Sequence, residues 1–554
     1  MRREPARSAL TGGRPVWLLT VTWSGRIYRF SSEAVRITQT TTGSVLAYTG
    51  GLNDPEFSTQ ALDALTVTIE GASIPFEVVF EGVDVGAEWR AGRKLARATA
   101  ELSMVIVDAQ SGTSRQTWEA RYALVDGDVV NPQWGMPNRP PGWATFSVEA
   151  RTFDVQRPLL PAKWRVSPAT WSTAPEAYQD KPYPLVIGDA GRYQQSDGTY
   201  ANSCVTPAFR VDYVIGGGTK VLVSVLATEA SINGGTILLL ETDTDTTYVA
   251  PVTTETDGLL TTVSIADISG AGSAFRRATG PIYACWNNGG GVVNPLDGSR
   301  AVMSRGGDLL RYLLGRTGLP IDDGAWEALT GLANRIEFAG FIDDPETDIW
   351  EFVRDQLLPW LPVSVVRTPH GLTPIALLPP APASQLPALT VGPGVALVSP
   401  ETCTRRIEEL VNDQTLQIAQ DREGAYLDSQ RIGRWTVQDS GAGFSHDVAQ
   451  VSAAEYGTRP GTALSAPFVW SRSSARRILR QRVRLFGFLT TRIVLQASVE
   501  YGWVRLGRWF SLTVASLGIT SRRAQCVDRS YLAARAVWEL TFEIEDDAQR
   551  EAVP

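Results

Sequence analysis

The two histidines are the first residues to consider, because imidazole serves both as a metal ligand and as a general base. His370 lies in a Thr-Pro-His-Gly turn, and His446 lies in a segment rich in glycine and serine. Neither belongs to an HxxxH or HExxH spacing, which would place metal ligands on one face of a helix. The histidines therefore indicate no metal site.

Four cysteines are spread along the chain, without a CxxC pair or a Cys/His cluster. Zinc sites need such local spacing, so the sequence predicts none. A disulfide between Cys204 and Cys285 stays open if these residues bracket one small domain. Free buried thiols are the alternative that we expect for a protein assembled in a cytoplasm. The four are Cys204, Cys285, Cys403 and Cys526.

Carboxylates are adjacent at three places, and paired carboxylates are what glycoside hydrolysis requires. These places are Asp322-Asp323, Asp343-Asp344 and Glu545-Asp546-Asp547. A glycosidase holds its two carboxylates across a cleft at a set separation, which neighbours in sequence do not supply. Aspartate is common at helix starts and in turns, where it caps backbone amides. We predict solvated caps here and no catalytic residue.

Three further stretches invite a binding hypothesis. The acidic loop Glu241–Thr247 places oxygen ligands close together, as calcium sites do, but it lacks the glycine and terminal glutamate of an EF-hand. We interpret it as a solvated hairpin tip. The glycine-rich stretches 216–219 and 287–293 do not open helices after strands, so no phosphate loop is predicted. No GxSxG elbow marks a nucleophile, although a Ser-His-Asp triad with distant members stays open. The sequence thus predicts no catalytic, metal or cofactor-binding residue and no cofactor.

Length and composition limit the class of protein. A chain of 554 residues is too long for one core, and its 43% hydrophobic and 20% charged residues are typical of globular domains. The net charge of −8 argues against a general nucleic-acid binder. No stretch approaches about 18 uninterrupted apolar residues, so no stable membrane insertion is predicted. The basic N-terminus has no apolar region behind it, and we expect a flexible or partner-docking tail rather than a signal peptide.

The C-terminal region has the clearest pattern. A short arginine-rich helix is predicted from Ser473 to about Leu485, followed by three strands at 492–497, 508–514 and 535–545, with a polar excursion at 516–529. In the last strand, apolar and polar residues alternate strictly, which indicates a sheet buried on one side.

The remaining chain also reads mainly as strands. Residues 16–30 predict a hairpin with a Ser24-Gly25 turn, and Asp126-Gly127 predicts another turn. Clear helix signals before the C-terminal region occur only at 304–316 and 346–358. The other predicted strands lie at 65–70, 76–80, 95–107, 116–124, 142–155, 209–215, 220–226, 236–241, 248–252, 259–265, 335–341, 363–367 and 372–377.

Several of these stretches resemble the tail hub (tail-tip or baseplate hub) proteins of tailed phages. The resemblance rests on LGRWFSLTV with the closing strand, on LAYTGGL before ALTVTIEG, on KPYPLVIGDAG and on EELVNDQTLQI. Its most specific part is DLLRYLL…GLPID followed by DIWEFVRDQLLPWLPVSVV. The fold class that follows is mainly β with a small α/β module, multidomain, with two tube-like β-barrel hub domains and an inserted β-sandwich. The predicted divisions are an N-terminal tail (1–15), an N-terminal barrel (16–155), a Pro/Trp-rich strap (156–187), the inserted sandwich (188–300), the α/β module (301–377), a Pro/Ala-rich linker (378–400), a C-terminal barrel (401–546) and a C-terminal tail (547–554).

The resemblance implies a structural function rather than an enzymatic one. It implies a homotrimer in which two barrels per chain give six quasi-equivalent barrels. Such a ring would join the sixfold tail tube or distal tail protein to a threefold fibre or spike, with the tape measure protein as a further candidate partner. Genomic DNA would pass through the lumen, for which Glu543 and Glu545 are candidate acidic residues. The implied location is the virion tail tip, after assembly in the host cytoplasm.

Two other functions stay open. The first is a carbohydrate-binding tail adhesin that acts through 188–300, with Tyr248 or Trp286 as stacking platforms, although core packing is the ordinary role of such rings. The second is a muralytic hydrolase, for which the sequence offers no site.

Overall fold

The structure is a computed structural model in which strands predominate over helices. The predicted fold class, mainly β and multidomain, is confirmed. The described residues are 13–39, 42–53, 60–61, 73–108, 121–134, 138–140, 142–150, 157–160, 165–169, 172, 174–188, 192–194, 200–202, 206–214, 218–224, 236–241, 246–254, 260–265, 282–285, 296, 303–344, 346–368, 371–392, 395–401, 407–420, 424–433, 443–445, 447–532 and 537–545.

The first part of the chain forms an antiparallel sheet and a separate hairpin. Its strands are β1 (Gly13–Trp23), β2 (Arg26–Ser31), β3 (Val35–Thr38), β4 (Val45–Tyr48), β5 (Gln60–Ala61), β6 (Ser73–Val79), β7 (Thr99–Asp108), β8 (Tyr122–Trp134) and β9 (Trp143–Ala150). Within the described residues, the N-terminal sheet has the order β2-β1-β7-β8-β9-β6, and β3 pairs with β4. A short helix, α1 (Val85–Arg90), lies between β6 and β7.

The predicted first hairpin is confirmed. Ser24 and Gly25 both have positive φ, at 51° and 77°, as a two-residue type I′ turn requires. The predicted turn at Asp126-Gly127 is wrong, because both residues lie inside β8, where Gly127 pairs with Ala100. Shifts of register along β8 disturb its alternation and hide its length in the sequence. The predicted strand at 65–70 lies outside the described residues.

The next part of the chain contains a closed barrel. After β10 (Leu185–Ile187), β11 (Arg192–Gln194) and β12 (Tyr200–Asn202), six strands pair in the order β13-β14-β17-β16-β15-β18. They are β13 (Thr206–Val214), β14 (Gly218–Ser224), β15 (Thr236–Glu241), β16 (Thr246–Thr254), β17 (Leu260–Ile265) and β18 (Ile282–Cys285). The predicted insertion is thus a β domain whose two sheets share strands β13 and β16, each pairing with a different neighbour at either end. These shared strands close the predicted sandwich into a barrel.

The α/β module follows. Its helices are α2 (Gly306–Gly315), α3 (Asp323–Ala333) and α4 (Ile349–Phe352), and α4 continues as a π turn at Val353–Leu357. Strand β19 (Gly340–Ile342) pairs with β10, and β20 (Val363–Thr368) forms a hairpin with β21 (Gly371–Ala376). The helices predicted at 304–316 and 346–358 are confirmed in place. Helix α3 was not predicted, because only Trp326 and Ala333 of its side chains are buried and its apolar stripe is weak.

The last part of the chain supplies two more sheets. Its elements are β22 (Ala388–Thr390), β23 (Val395–Glu401), β24 (Gln414–Gln420), β25 (Tyr426–Gly433), β26 (Gly443–Ser445), α5 (Asp447–Tyr456), β27 (Leu464–Ala466), α6 (Arg472–Phe486), β28 (Thr491–Ser498), β29 (Trp509–Val514), β30 (Ile519–Leu532) and β31 (Val537–Ile544). The C-terminal sheet has the order β22-β29-β30-β31-β28-β23, with β5 added beside β30. The smaller sheet has the order β26-β25-β24-β27.

The predicted arginine-rich helix is confirmed as α6, and the three predicted strands are confirmed as β28, β29 and β31. The polar excursion predicted at 516–529 is wrong, since most of it belongs to strand β30. A register shift between Cys526 and Asp528 breaks the alternation of this strand, and its arginines obscure the apolar residues between them.

The C-terminal sheet is strongly curled. Its edge strands β22 and β23 are joined by only the four residues 391–394. Those residues span at most about 17 Å, whereas six flat strands spaced about 4.8 Å apart would separate the edges by roughly 24 Å. The sheet must therefore bend toward a barrel, as predicted for this end of the chain. Residues of the predicted Pro/Ala-rich linker supply both of its edges.

One hydrophobic core unites the N-terminal and C-terminal sheets. Trp17 and Leu19 of β1 belong to the same buried cluster as Phe510 of β29 and Phe542 of β31. Trp17 also meets Tyr531 of β30 edge to face, with ring centroids 4.9 Å apart. Sheets from opposite ends of the chain are thus joined as one body.

A second core lies in the middle of the chain. It combines Leu159 and Leu185 of the predicted strap with helix α2, the β20–β21 hairpin, the smaller sheet and helix α6. The segment predicted as one C-terminal barrel, 401–546, therefore contributes to both cores: its first part packs with the α/β module, and its last four strands pack with the N-terminal sheet.

Candidate functional site

The two sheets of the first core contain the same four-strand unit. In the N-terminal sheet, β7, β8 and β9 pair in sequence, and β9 pairs with the preceding strand β6. In the C-terminal sheet, β29, β30 and β31 pair in sequence, and β31 pairs with the preceding strand β28. All six pairings are antiparallel. A short helix also lies between the first and second strands of each unit, at Val85–Arg90 and at Val499–Trp503.

The two units differ on the face that points away from the shared core, which we call the back face. On the N-terminal sheet this face is apolar, and Val16, Leu18 and Val105 pack there against the β3–β4 hairpin, including Ile37 and Tyr48. Within the described residues, the β3–β4 hairpin of the same domain therefore covers this back face.

The back face of the C-terminal sheet is polar, and the α/β module covers part of it. Trp509 donates its indole N–H to the carbonyl oxygen of Ala376 at 2.8 Å, and the side-chain amide of Gln525 donates to the same oxygen at 2.9 Å. Gly507 lies directly against Ile375, where an added Cβ would approach the isoleucine side chain to 2.7 Å. We call this set of contacts the junction.

A buried charge cluster completes the junction. Glu545, at the end of β31, forms ion pairs with Arg523 of β30 and, at 3.8 Å, with Arg484 of helix α6. Only 5% of the Glu545 side chain is exposed. Burial lowers the pKa of Arg484, while Glu545 acts in the opposite direction. Because α6 belongs to the second core, this carboxylate joins the two cores electrostatically.

The predicted lumen residues Glu543 and Glu545 are both matched by guanidinium groups. Glu543 lies 3.2 Å from Arg492 on the neighbouring strand. Glu545 lies in the buried cluster with Arg484 and Arg523, so the solvated cap predicted for this residue is wrong. The sequence analysis missed these arginine partners. The signal for Arg484 was present in the helix ARRILRQRVRL, where an arginine follows a buried apolar position near the helix end.

The predicted caps at Asp322 and Asp343-Asp344 are largely confirmed. Asp322 caps helix α3 by accepting the backbone N–H of Ala325 at 3.2 Å. Asp344 accepts the backbone N–H of Glu346 at 2.9 Å. Burial raises the pKa of Asp343, and Asp344 acts in the same direction. Neighbouring carboxylates that cap the backbone differ from the glycosidase arrangement, in which two carboxyl groups face each other across a cleft.

Asp323 lies on the surface near α2, where it pairs with Arg311 at 2.7 Å. Among the described residues, no group of three or more His, Cys, Asp or Glu side chains is placed to hold a metal ion. Within the same residues, no helix has the length and apolar character needed to cross a membrane.

Cys526 is a free, fully buried thiol in β30. Burial raises its pKa to about 12. Such a thiol packs as a small apolar side chain and is unreactive while the sheet is folded.

Several residues singled out from the sequence lie outside the described residues. They are His370, His446, Cys204, Cys403, Trp286, Asp546, Asp547 and the stretches 242–245 and 287–293. Tyr248 and Cys285 are described only as backbone positions in β16 and β18. Their proposed roles stay predictions, as does the disulfide between Cys204 and Cys285.

Comparison with known proteins gives structural likenesses only. No protein-family model matches the sequence. No curated protein matches it either. Among solved structures, the chain is similar to the tail protein from Neisseria meningitidis MC58, with 10% identity over 97% of this chain and 99% of that chain and a TM-score of 0.36.

Two further likenesses have lower TM-scores. The 43 kDa tail protein of prophage MuSo2 from Shewanella oneidensis has 8% identity over 97% of this chain and all of that chain, with a TM-score of 0.33. A chain from the virion of the native gene transfer agent particle has 12% identity over 50% of this chain and 81% of that chain, with a TM-score of 0.17. Scores this low do not establish a common fold, and these likenesses carry no functional argument.

Proposed function

We propose that this chain is a structural protein of a phage tail or tail-like particle, acting as the central hub of the tail tip or baseplate. The observation that carries the proposal is the repeated four-strand unit. Two curled sheets with one strand order, a helix at the same place in each and a shared core are what a chain needs to present two equivalent subunits to a ring.

The proposed assembly is a homotrimer. Three chains supply six quasi-equivalent sheets, which match the sixfold tube or distal tail ring on one side. The three α/β modules match a threefold fibre or spike on the other. A closed ring also removes exposed sheet edges, which otherwise promote aggregation. In this role the chain is a symmetry adaptor around a channel for DNA, and no catalytic residue is required.

Immunogold electron microscopy tests this proposal. Particles from cells that carry this gene would be labelled with an antibody raised against the chain. We expect gold at the end of the tail that is distal to the head, and tails that fail to assemble when the gene is deleted. Label on the head, or normal tails after deletion, would refute the proposal.

A second candidate function, a tail adhesin, is favoured by the closed barrel of β13–β18. The chain leaves the second core at Gly188 and returns at Met303, and the N–H of Gly188 donates to the carbonyl of Met303 at 3.1 Å. Such an insertion can be exchanged without disturbing its host domain. A glycan array probed with the full chain, and with a chain in which a short linker replaces 189–302, decides the matter: glycan binding that disappears with the insertion supports the adhesin.

A further inference from the structure

The α/β module and helix α6 together expose a cluster of arginines. It consists of Arg305, Arg335, Arg476, Arg477 and Arg480, which we call the basic patch. All five are exposed, and the contacts below bring the exposed carboxylate of Glu337 to the same surface. Because the whole chain has a net charge of −8, so strong a local excess of positive charge is unusual for this protein.

Backbone contacts fix the basic patch as one surface. Arg305 and Glu337 form an antiparallel bridge, and the N–H of Glu337 donates to the hydroxyl of Ser474 at 3.0 Å. Arg477 donates from its guanidinium to the carbonyl oxygen of Arg335 at 2.5 Å. Arg480 lies one helical turn beyond Arg477, on the same side of α6. The arginines therefore come from three segments that are held rigidly together.

The same module carries a cluster of opposite charge, which we call the acidic patch. It consists of Asp343, Asp344, Glu346, Asp348 and Glu351. Two of these carboxylates accept nearby backbone N–H groups: Asp344 accepts from Glu346, and Asp348 accepts from Glu351. Lys181 lies close enough to Asp343 to lower its pKa, against the larger effect of burial.

The two patches lie at opposite ends of one extended segment. Five residues, including strand β19, separate Glu337 beside the basic patch from Asp343 in the acidic patch, so the two positions are six residue steps apart. At about 3.3 Å per residue, this is a distance of up to about 20 Å. Two complementary patches on different parts of one subunit are the arrangement that a head-to-tail ring uses.

We propose that the basic patch of one copy of this chain docks on the acidic patch of the next copy, closing the trimer. The inference rests on the proposed function, because it names the contact within the proposed homotrimer. In such a ring, each basic patch meets the acidic patch of the neighbouring copy, so both patches are paired through the same type of contact. Duplex DNA would satisfy the basic patch alone, and the net negative charge of the chain opposes its approach.

Charge reversal on each patch tests the contact. Arg305 and Arg335 suit the test of the basic patch, since neither side chain forms a hydrogen bond or ion pair among the described residues, and R305E/R335E should leave the fold intact. D343R/E346R reverses the acidic patch. Each variant should weaken trimer formation about a hundredfold in sedimentation velocity at low salt, because like charges then face each other. The chain that carries all four substitutions should recover the trimer.

The control reverses two exposed arginines outside both patches, with R36E/R97E, and should assemble as the unaltered chain does. Thermal unfolding of every variant separates loss of contact from loss of fold. A trimer that persists in R305E/R335E overturns this inference and leaves the proposed function standing. So does a failure of the four-substitution chain to recover, which would assign the patches to outside partners. If the unaltered chain stays monomeric at all concentrations, the proposed homotrimer itself fails.

Binding of duplex DNA provides the remaining alternative. A fluorescently labelled duplex should show no binding to the unaltered chain at physiological salt. Binding that disappears in R305E/R335E while the trimer persists would overturn the docking between copies and assign the basic patch to nucleic acid.

Discussion

The N-terminal and C-terminal sheets share a strand order and a core, yet their back faces are covered by opposite chemistries. The β3–β4 hairpin covers the N-terminal sheet with apolar side chains. The C-terminal sheet meets the α/β module through indole and amide groups, and helix α6 of the second core through a guanidinium group. One strand order can therefore build either an independent domain or an attachment surface for another module. The composition of the back face decides which of the two a sheet becomes.

The difference has an energetic consequence. An apolar cover is stabilised by the burial of apolar area, and this stabilisation does not depend on any particular charged partner. A polar junction depends on each donor meeting its acceptor, and a buried charge left without its partner costs more than the pair contributed. We therefore expect mutations in the shared core, the hairpin cover and the junction to differ in magnitude and in which part of the molecule they affect.

The largest effect is expected from Trp17→Ala. Trp17 is fully buried at the meeting of the two sheets, and truncation of such a side chain costs about 3–5 kcal/mol. Because both sheets share this core, urea unfolding followed by circular dichroism should show a single transition for the two sheets. The substitution should move that transition to a lower urea concentration. Ile27→Ala is the control, since Ile27 is 53% exposed. Separate transitions, with only one of them shifted, would contradict the shared core.

Removing apolar contact from the hairpin cover should have the next largest effect. Ile37 is fully buried between the hairpin and the N-terminal sheet, so Ile37→Ala should lower the free energy of unfolding by about 3 kcal/mol. Val45→Ala on the same hairpin is the matched control, because Val45 is 59% exposed. Equal effects of the two substitutions in urea denaturation would show that the hairpin does not cover the sheet.

Neutralising the buried carboxylate of the junction should cost less. Glu545→Gln keeps the shape but leaves Arg484 and Arg523 without their counter-ion, and we expect a loss of about 2 kcal/mol. The matched control is Glu543→Gln on the same strand, whose partially exposed pair with Arg492 should contribute less than about 1 kcal/mol. Urea denaturation of both variants measures the difference, and its absence would contradict an electrostatic junction.

At neutral pH, the smallest effect concerns the thiol of Cys526. Burial raises its pKa to about 12, so the folded state favours the neutral thiol. Its contribution to stability is complete below the unfolded pKa of about 8.5 and is lost as the pH rises from there toward 12. Iodoacetamide at pH 8, followed by peptide mapping, should modify Cys526 only after unfolding. Modification of the native chain would show that the sheet opens at this strand.

The sequence predicts much of the local structure and little of how the parts meet. The Ser24-Gly25 hairpin and the last strand were predicted because their side chains alternate on a sheet with one buried face. Strand β30 was missed because a register shift and three arginines hide its period. Helix α3 was missed because few of its side chains are buried.

The junction could not be predicted in the same way. The contact of Trp509 and Gln525 with the carbonyl of Ala376 joins residues more than a hundred positions apart, and a backbone acceptor has no sequence signature. The pairing of Glu545 with Arg484 likewise depends on how two cores pack. The repeated strand order is also invisible in sequence, because topology is a property of pairing and not of composition.

The native mass of the purified chain decides whether three copies assemble. Multi-angle light scattering of the purified chain, together with negative-stain images of the cross-linked protein, reports the number of subunits and the presence of an axial hole. We expect three chains around a central opening, in which six sheets form a ring. A chain that stays monomeric at every concentration and salt would contradict this expectation.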